Sequence, residues 1–244
     1  MSYVELIVRD QLDPNVPRHC VMSHEDLVCE IITVISVGFD TTKTANAIIL
    51  HMMAFHPKIQ EDVFQEIKSV LGDDPNTPPT YNQLHDLHLL TRVIKETLRL
   101  FPSAPIMARE AEDEIQVDGY TVPKGTTMGV MIYGIHRDPQ YWTDPNQFNP
   151  DRFLPSETAR RNLNTYLPFS TGSRNCIGNK YAMLQMKTTV STILRRYKIL
   201  PGDKCKSMDD IRFEFGLTMR LLPGNDIRLA PRSNTRLSDL RMPA

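Results

Sequence analysis

The fifteen residues Pro168–Ala182, PFSTGSRNCIGNKYA, hold one thiol, Cys176, between Gly172 and Gly178, just ahead of a helical-looking run. Glycines on both sides let the backbone come close to something flat and large, and Arg174 adds a fixed cation. A thiol beside a helix amino terminus meets N–H groups that favour its thiolate. These residue types suit a nucleophile or an axial metal ligand, while the plainer alternative is a buried structural cysteine. A nucleophile wants a histidine base, and no motif assigns any of the seven histidines to that role. The four cysteines, Cys20, Cys29, Cys176 and Cys205, include no pair at structural-zinc spacing and make no disulfide framework.

Three further clusters can do chemistry. In KETLRLFP, Glu96 and Arg99 lie at i and i+3 on one helix face, where a solvated ion pair is the ordinary outcome. FNPDRFLP brings Arg152 from an irregular stretch. In VGFDTT, residues Gly38, Asp40, Thr41 and Thr42 fall midway along a long helix. Threonine there can bond back to the preceding turn and bend the helix, or present its hydroxyl next to a carboxylate. His85 and His88 share helical spacing but read as an ordinary connecting segment rather than a metal site. Lys180, Lys187, Arg195 and Arg196 on the last long helix are either a solvated face or docking charges.

The elements that must position these groups follow from pattern. A cap and acidic turn at SHED open a helix over 23–56 that crosses the core. A second helix spans 57–71, with Pro57 in the tolerant first turn and apolar residues Ile59, Val63, Ile67 and Val70 near helical spacing. After a turn-rich connector, one helical stretch runs from Tyr81 to Pro102. From Ile115 the texture becomes short β-runs punctuated by Asp118-Gly119 and Lys124-Gly125. Residues 136–168 are irregular but anchored by aromatics, a helix covers 178–197, and a β-like segment surrounds IRFEFGLTMRLLPG.

Length and 41% apolar content permit a substantial core, and 28 basic against 29 acidic residues give no field that would attract nucleic acid. No segment approaches the run of about eighteen apolar residues expected of a spanning helix.

FSTGSRNCIG matches in full the Phe-x-x-Gly-x-Arg-x-Cys-x-Gly haem signature, with Ala182 completing its extended form, and the chain thereby resembles the cytochrome P-450 family. The resemblance implies that Cys176 is the thiolate ligand of haem b iron and that Arg174 pairs with a propionate. It also implies that Phe169, Gly172 and Gly178 shape the pocket beneath the porphyrin. Glu96-x-x-Arg99 and Arg152 then form the family's buried lock. VGFDTT matches the family's oxygen groove, so Thr41 bonds dioxygen and Asp40 helps deliver its protons. Val37 departs from the usual Ala or Gly there.

RNCIGNKYAMLQMK is similar to the animal family-four microsomal group, with Val37 and Phe39 standing where that group carries Glu and His. The implied fold is mainly α with small β-sheets, and residues 1–244 would be the carboxyl-terminal half or slightly more of the family domain. Residues 231–244 would be a loose tail. The implied activity is insertion of one atom of O2 into a small apolar substrate, with electrons from an NADPH-dependent flavoprotein reductase. The implied location is the endoplasmic reticulum membrane, reached through a segment not contained here. A haem-thiolate isomerase or dehydratase, and a truncated non-catalytic product, are the alternatives. Substrate-facing residues are expected before Asp40, in SAPIMA and in FGLT, and the chain alone is expected to hold haem weakly.

Overall fold

Helices make up about half of the described residues in the computed structural model, which describes residues 3–13, 15–17, 21–216, 218–222, 224 and 226–232. Two units divide it, Met1–Asp40 and Thr41–Ala244, and the boundary falls inside one helix. Cys20 and the tail beyond Arg232 lie outside the described residues.

In the first unit, α1 (Tyr3–Leu12) is followed by a turn in which the Met22 N–H donates to Gln11 Oε1 at 2.7 Å. The helix shared with the second unit, α2 (His24–Phe55), starts where the sequence placed it. Ser23 caps it, its hydroxyl oxygen accepting the Asp26 N–H at 3.1 Å and donating to the Asp26 carboxylate at 2.7 Å. The expectation that the whole helix crosses a core is corrected. Burial begins only at Thr44 and runs through Ala54, whereas Val28, Ile32, Ile35, Val37 and Phe39 are exposed.

The second unit contains the core. Its first helix, α3 (Pro57–Leu71), buries Gln60, Val63, Ile67 and Leu71, spaced three and four apart as one helical face requires. The single stretch predicted from Tyr81 to Pro102 is in fact two helices, α4 (Tyr81–Asp86) and α5 (His88–Leu100). Leu87 leaves the helical region at φ −77 and ψ 79. The break is stabilised from outside the segment: the Glu66 carboxylate accepts the Leu89 and Leu90 N–H groups at 2.6 and 2.9 Å, satisfying two donors at the start of α5. Thr80 and Gln83 close a capping box on α4. Short helices α6 (Ile132–Ile135) and α7 (Pro155–Ala159) flank the irregular region, and α8 (Asn179–Arg196) follows the cysteine loop. The buried faces of α2, α3, α5 and α8 meet in one apolar cluster that includes Ile48, Met52, Ile67, Leu90, Ile94, Val190 and Leu194.

Among the described residues the strands form four two-stranded antiparallel ladders. They pair β1 (Ile106–Glu110) with β4 (Thr127–Met131), and β2 (Ile115–Val117) with β3 (Tyr120–Val122). They also pair β5 (Tyr197–Pro201) with β8 (Ile227–Pro231), and β6 (Arg212–Phe215) with β7 (Met219–Leu222). Asp118 and Gly119 make the two-residue β2–β3 turn with φ of 54 and 84, as the Asp-Gly pair predicts. Pro231, where a loose tail was expected to begin, is paired in a strand. Pro231 ends β8 opposite Tyr197, and Arg232 is fixed by its N–H to the Arg196 carbonyl at 2.9 Å and its Nε to the Leu194 carbonyl at 2.8 Å.

Candidate active site

The loop before α8 is wound tightly by its own backbone. The Ser170 N–H donates to the Leu167 carbonyl at 3.1 Å, Asn175 N–H to Gly172 at 3.2 Å, and Cys176 N–H to Phe169 at 2.9 Å. Gly172 sits at φ +82 with open space around a notional Cβ, so conformation rather than crowding calls for glycine there. Gly178 is different. Its φ is ordinary, but a Cβ would sit 3.9 Å from Cys176 Sγ, so glycine leaves the flank of the sulfur bare. The loop's two ends are anchored, since Phe169 and Ala182 pack against the apolar core and the Ala182 N–H joins Gly178 at 2.8 Å to open α8. Between those ends Cys176 is exposed, as is Ile177 at 94%.

A second cation borders this loop, at a position that no sequence motif marks. Arg109, from β1, donates through Nη2 to Ser170 Oγ and to the Arg174 carbonyl, each at 3.3 Å. With Ser173, Arg174, Asn175 and Ile177 it lines a shallow open recess. The SAPIMA stretch suggested contact with substrate, and only the strand pairing of β1 with β4 fixes where Arg109 falls. The loop and its border thus carry an exposed sulfur, two guanidiniums and an exposed apolar side chain, residue types that suit a flat, metal-centred group with anionic edges.

Beneath the loop lies the lock. Glu96 and Arg99 are both fully buried, joined by Arg99 Nε to Glu96 Oε2 at 2.7 Å and Nη2 to Oε1 at 2.9 Å. The remaining guanidinium donors reach the carbonyls of His136 at 2.8 Å, Pro145 at 2.7 Å and Gln147 at 3.2 Å. Glu96 Oε1 also accepts the Asn149 N–H at 2.8 Å. Arg152, from a 3-10 turn at Pro150–Phe153, places its Nε 3.4 Å from Glu96 Oε1 and donates through Nη2 to the Asp144 carbonyl at 2.8 Å. It is therefore a second, more distant cation on a carboxylate held chiefly by Arg99. Trp142 closes the cluster, with the Arg99 and Arg161 guanidiniums 4.9 and 4.2 Å from its ring.

Asp40 and Thr41 are consecutive on α2 and both half-buried. The Thr41 carbonyl accepts the Ser103 hydroxyl at 3.0 Å, and the Ser103 carbonyl accepts the Met219 N–H at 2.9 Å, tying that turn of α2 to the start of β7. The four basic residues of α8 do not form a common solvated face. Lys187 is buried, donating Nζ to the Leu84 carbonyl at 2.8 Å, and burial lowers its pKa. Arg195 is likewise buried and donates to the Thr77 carbonyl at 2.8 Å, which removes both from any docking surface.

A family model described as Cytochrome P450 matches residues 8–223. The chain is 42% identical over 212 residues to Cytochrome P450 4c3 of Drosophila melanogaster, covering 87% of this chain and 39% of that protein. It is 36% identical over 237 residues to Probable cytochrome P450 4d20 of the same fly, covering 97% and 44%. It is also 41% identical over 208 residues to Cytochrome P450 4V2 of Pongo abelii, covering 84% and 38%. The chain thus spans about two-fifths of the length of these relatives.

Proposed function

This chain belongs to the cytochrome P450 family, and on that premise we propose that it carries the ligand, lock and proton-handling residues of a haem-thiolate monooxygenase. The reaction inserts one atom of O2 into a C–H bond of a small apolar substrate and releases the other as water. Two protons and two electrons balance it, the electrons coming from an NADPH-dependent flavoprotein reductase. The observation that carries this reading is the exposed Cys176 thiol on a backbone-wound loop that also carries Arg174 and is bordered by Arg109.

Cys176 Sγ would hold the iron of haem b, and the Arg174 and Arg109 guanidiniums would pair with its anionic edge. Bound there, the haem supplies dioxygen binding and oxygen-atom transfer, which a thiolate ligand favours by donating electron density. Gly178 leaves room beside the sulfur. The N–H of Cys176 is engaged by Phe169, which fixes the direction of the Cα–Cβ bond that carries the sulfur. On α2, the Thr41 hydroxyl and the Asp40 carboxyl would be the groups that hold and move protons for the oxygen chemistry the haem supplies. Ser103 holds the Thr41 backbone in place through its carbonyl.

Among the described residues no helix is long and apolar enough to cross a membrane. The endoplasmic reticulum membrane is assigned from the likeness to the family-four group. The test is the absorption spectrum of the reduced, haem-loaded protein with carbon monoxide, followed by turnover under labelled dioxygen with reductase. A thiolate-type spectrum with label in product supports the reading. A thiolate-type spectrum with turnover of peroxide substrates and no need for reductant would assign a haem-thiolate isomerase or dehydratase instead.

A further inference from the structure

His136 is fully buried, and both of its ring nitrogens are used. Nδ1 lies 3.1 Å from the Arg99 carbonyl, and Nε2 lies 2.8 Å from the Leu167 backbone nitrogen. A backbone N–H can only donate, so Nε2 must accept, and the ring's single proton is on Nδ1, donated to Arg99. The ring must stay neutral to make both bonds, and burial agrees, lowering its pKa to about 4. Tyr166 stacks on it at 5.3 Å between ring centroids and is itself fixed by its hydroxyl to the Lys95 carbonyl at 2.9 Å.

These bonds join into one path. The Glu96–Arg99 pair fixes the end of α5, Arg99 holds His136 from both sides by its carbonyl and by its guanidinium on the His136 carbonyl, and His136 holds Leu167. Leu167 accepts Ser170 N–H through its carbonyl, and Phe169 then accepts Cys176 N–H. We propose that His136 is a positioning residue for the metal ligand: by bridging the Arg99 carbonyl to the Leu167 N–H it fixes the loop entry on which the placement of Cys176 depends. A phenylalanine of similar size would fill the space and keep the Tyr166 stack, but would make neither hydrogen bond and would leave a buried N–H and a buried carbonyl without their partner. The consequence is local: the entry of the loop loosens while the lock beneath it, held by Arg99's own contacts to Glu96, stays closed.

The proposal rests on Cys176 being the iron ligand, and its test separates the two. In haem-free protein, His136→Phe is expected to raise the rate of Leu167 and Cys176 amide exchange about tenfold, the equivalent of one net hydrogen bond. His136→Gln, which can both donate and accept, is expected to restore most of the difference. In haem-loaded protein His136→Phe shifts the reduced carbon monoxide spectrum from the thiolate towards the neutral-thiol type, and His136→Gln does so less. Should His136→Phe fail to fold, His136→Asn, too short to reach both partners, takes its place against His136→Gln. Wild-type exchange and spectral ratio in all these variants would overturn the proposal, as would an equal defect in the Gln variant and in the variant that makes neither bond. Retention of the thiolate spectrum by Cys176→Ala would instead overturn the ligand assignment on which it rests.

Discussion

Around Arg99 every donor of the guanidinium faces protein: the Glu96 carboxylate takes two contacts, and the carbonyls of His136, Pro145 and Gln147 take the rest, all in a fully buried setting. Around Cys176 the polarity of the arrangement is reversed. The backbone is satisfied inward, through Phe169 and Leu167, while the thiol and Ile177 face outward. Both regions are spelled by short motifs, yet one is completed by protein and the other, on the function proposed above, is completed by haem. A buried charge needs its partners in the fold itself, because an unpaired one costs several kcal/mol. A ligand residue must be left open at one valence and backed by a rigid base.

The largest expected effect separates the two regions most sharply. Cys176→Ala removes the thiolate-type carbon monoxide spectrum and all oxygenation. The haem-free chain should unfold within about 0.5 kcal/mol of wild type in denaturant titration, since the side chain is exposed. A variant that bound haem with a thiolate spectrum would mean another cysteine serves as ligand.

Glu96→Gln acts the other way. It leaves Arg99 and Arg152 without their shared anion and should cost roughly 3–5 kcal/mol of stability, with loss of haem incorporation following from loss of the fold. A stability change below about 1 kcal/mol would make the pair no better than a surface ion pair.

Acid should act at the link between lock and loop. His136 is neutral when folded, its pKa lowered from 6.5 to about 4 chiefly by burial. The unfolded chain therefore takes up a proton there that the folded chain refuses, and stability falls as pH drops from 6.5 towards 4. Measured as the difference between wild type and His136→Phe across that window, the loss should approach about 3 kcal/mol, flat above it. An identical pH slope in the two proteins would show that the ring is already charged or already solvated.

Thr41→Ala is the mildest change. Haem content and stability should stay near wild type, since the Ser103 bond goes to the Thr41 carbonyl, which the substitution keeps. Reducing equivalents should be diverted from product to peroxide, measured as the ratio of peroxide formed to cofactor oxidised. Unchanged coupling would remove Thr41 from proton delivery.

The sequence was most informative where chemistry and local backbone coincide. Cys176, Gly172, Gly178 and Arg174 share one loop, Glu96 and Arg99 share one helix face, and the start of α2, the bounds of α3 and the Asp118-Gly119 turn follow from caps, proline and φ preferences that act within a few residues. Where the expectations failed, the cause lay far along the chain. Tyr81–Leu100 is two helices because Glu66, over twenty residues earlier, caps the second. The basic residues of α8 are partly buried because Leu84 and Thr77 bring carbonyls to Lys187 and Arg195. The strand ending at Pro231 exists because Tyr197–Pro201 lies opposite it.

By itself, then, the sequence determined the donor types, their spacing within each segment and the family to which they belong, because those depend on side-chain chemistry and on periodicities of a few residues. Only the tertiary structure decided that Arg109 borders the cysteine loop, that Asn149 and three carbonyls complete the lock, and that His136 links lock to loop. Each of those is a contact between segments more than thirty residues apart, made by strand register or by backbone groups that every residue carries. No residue type announces it, because which backbone N–H or carbonyl a side chain meets is settled only when the segments fold together.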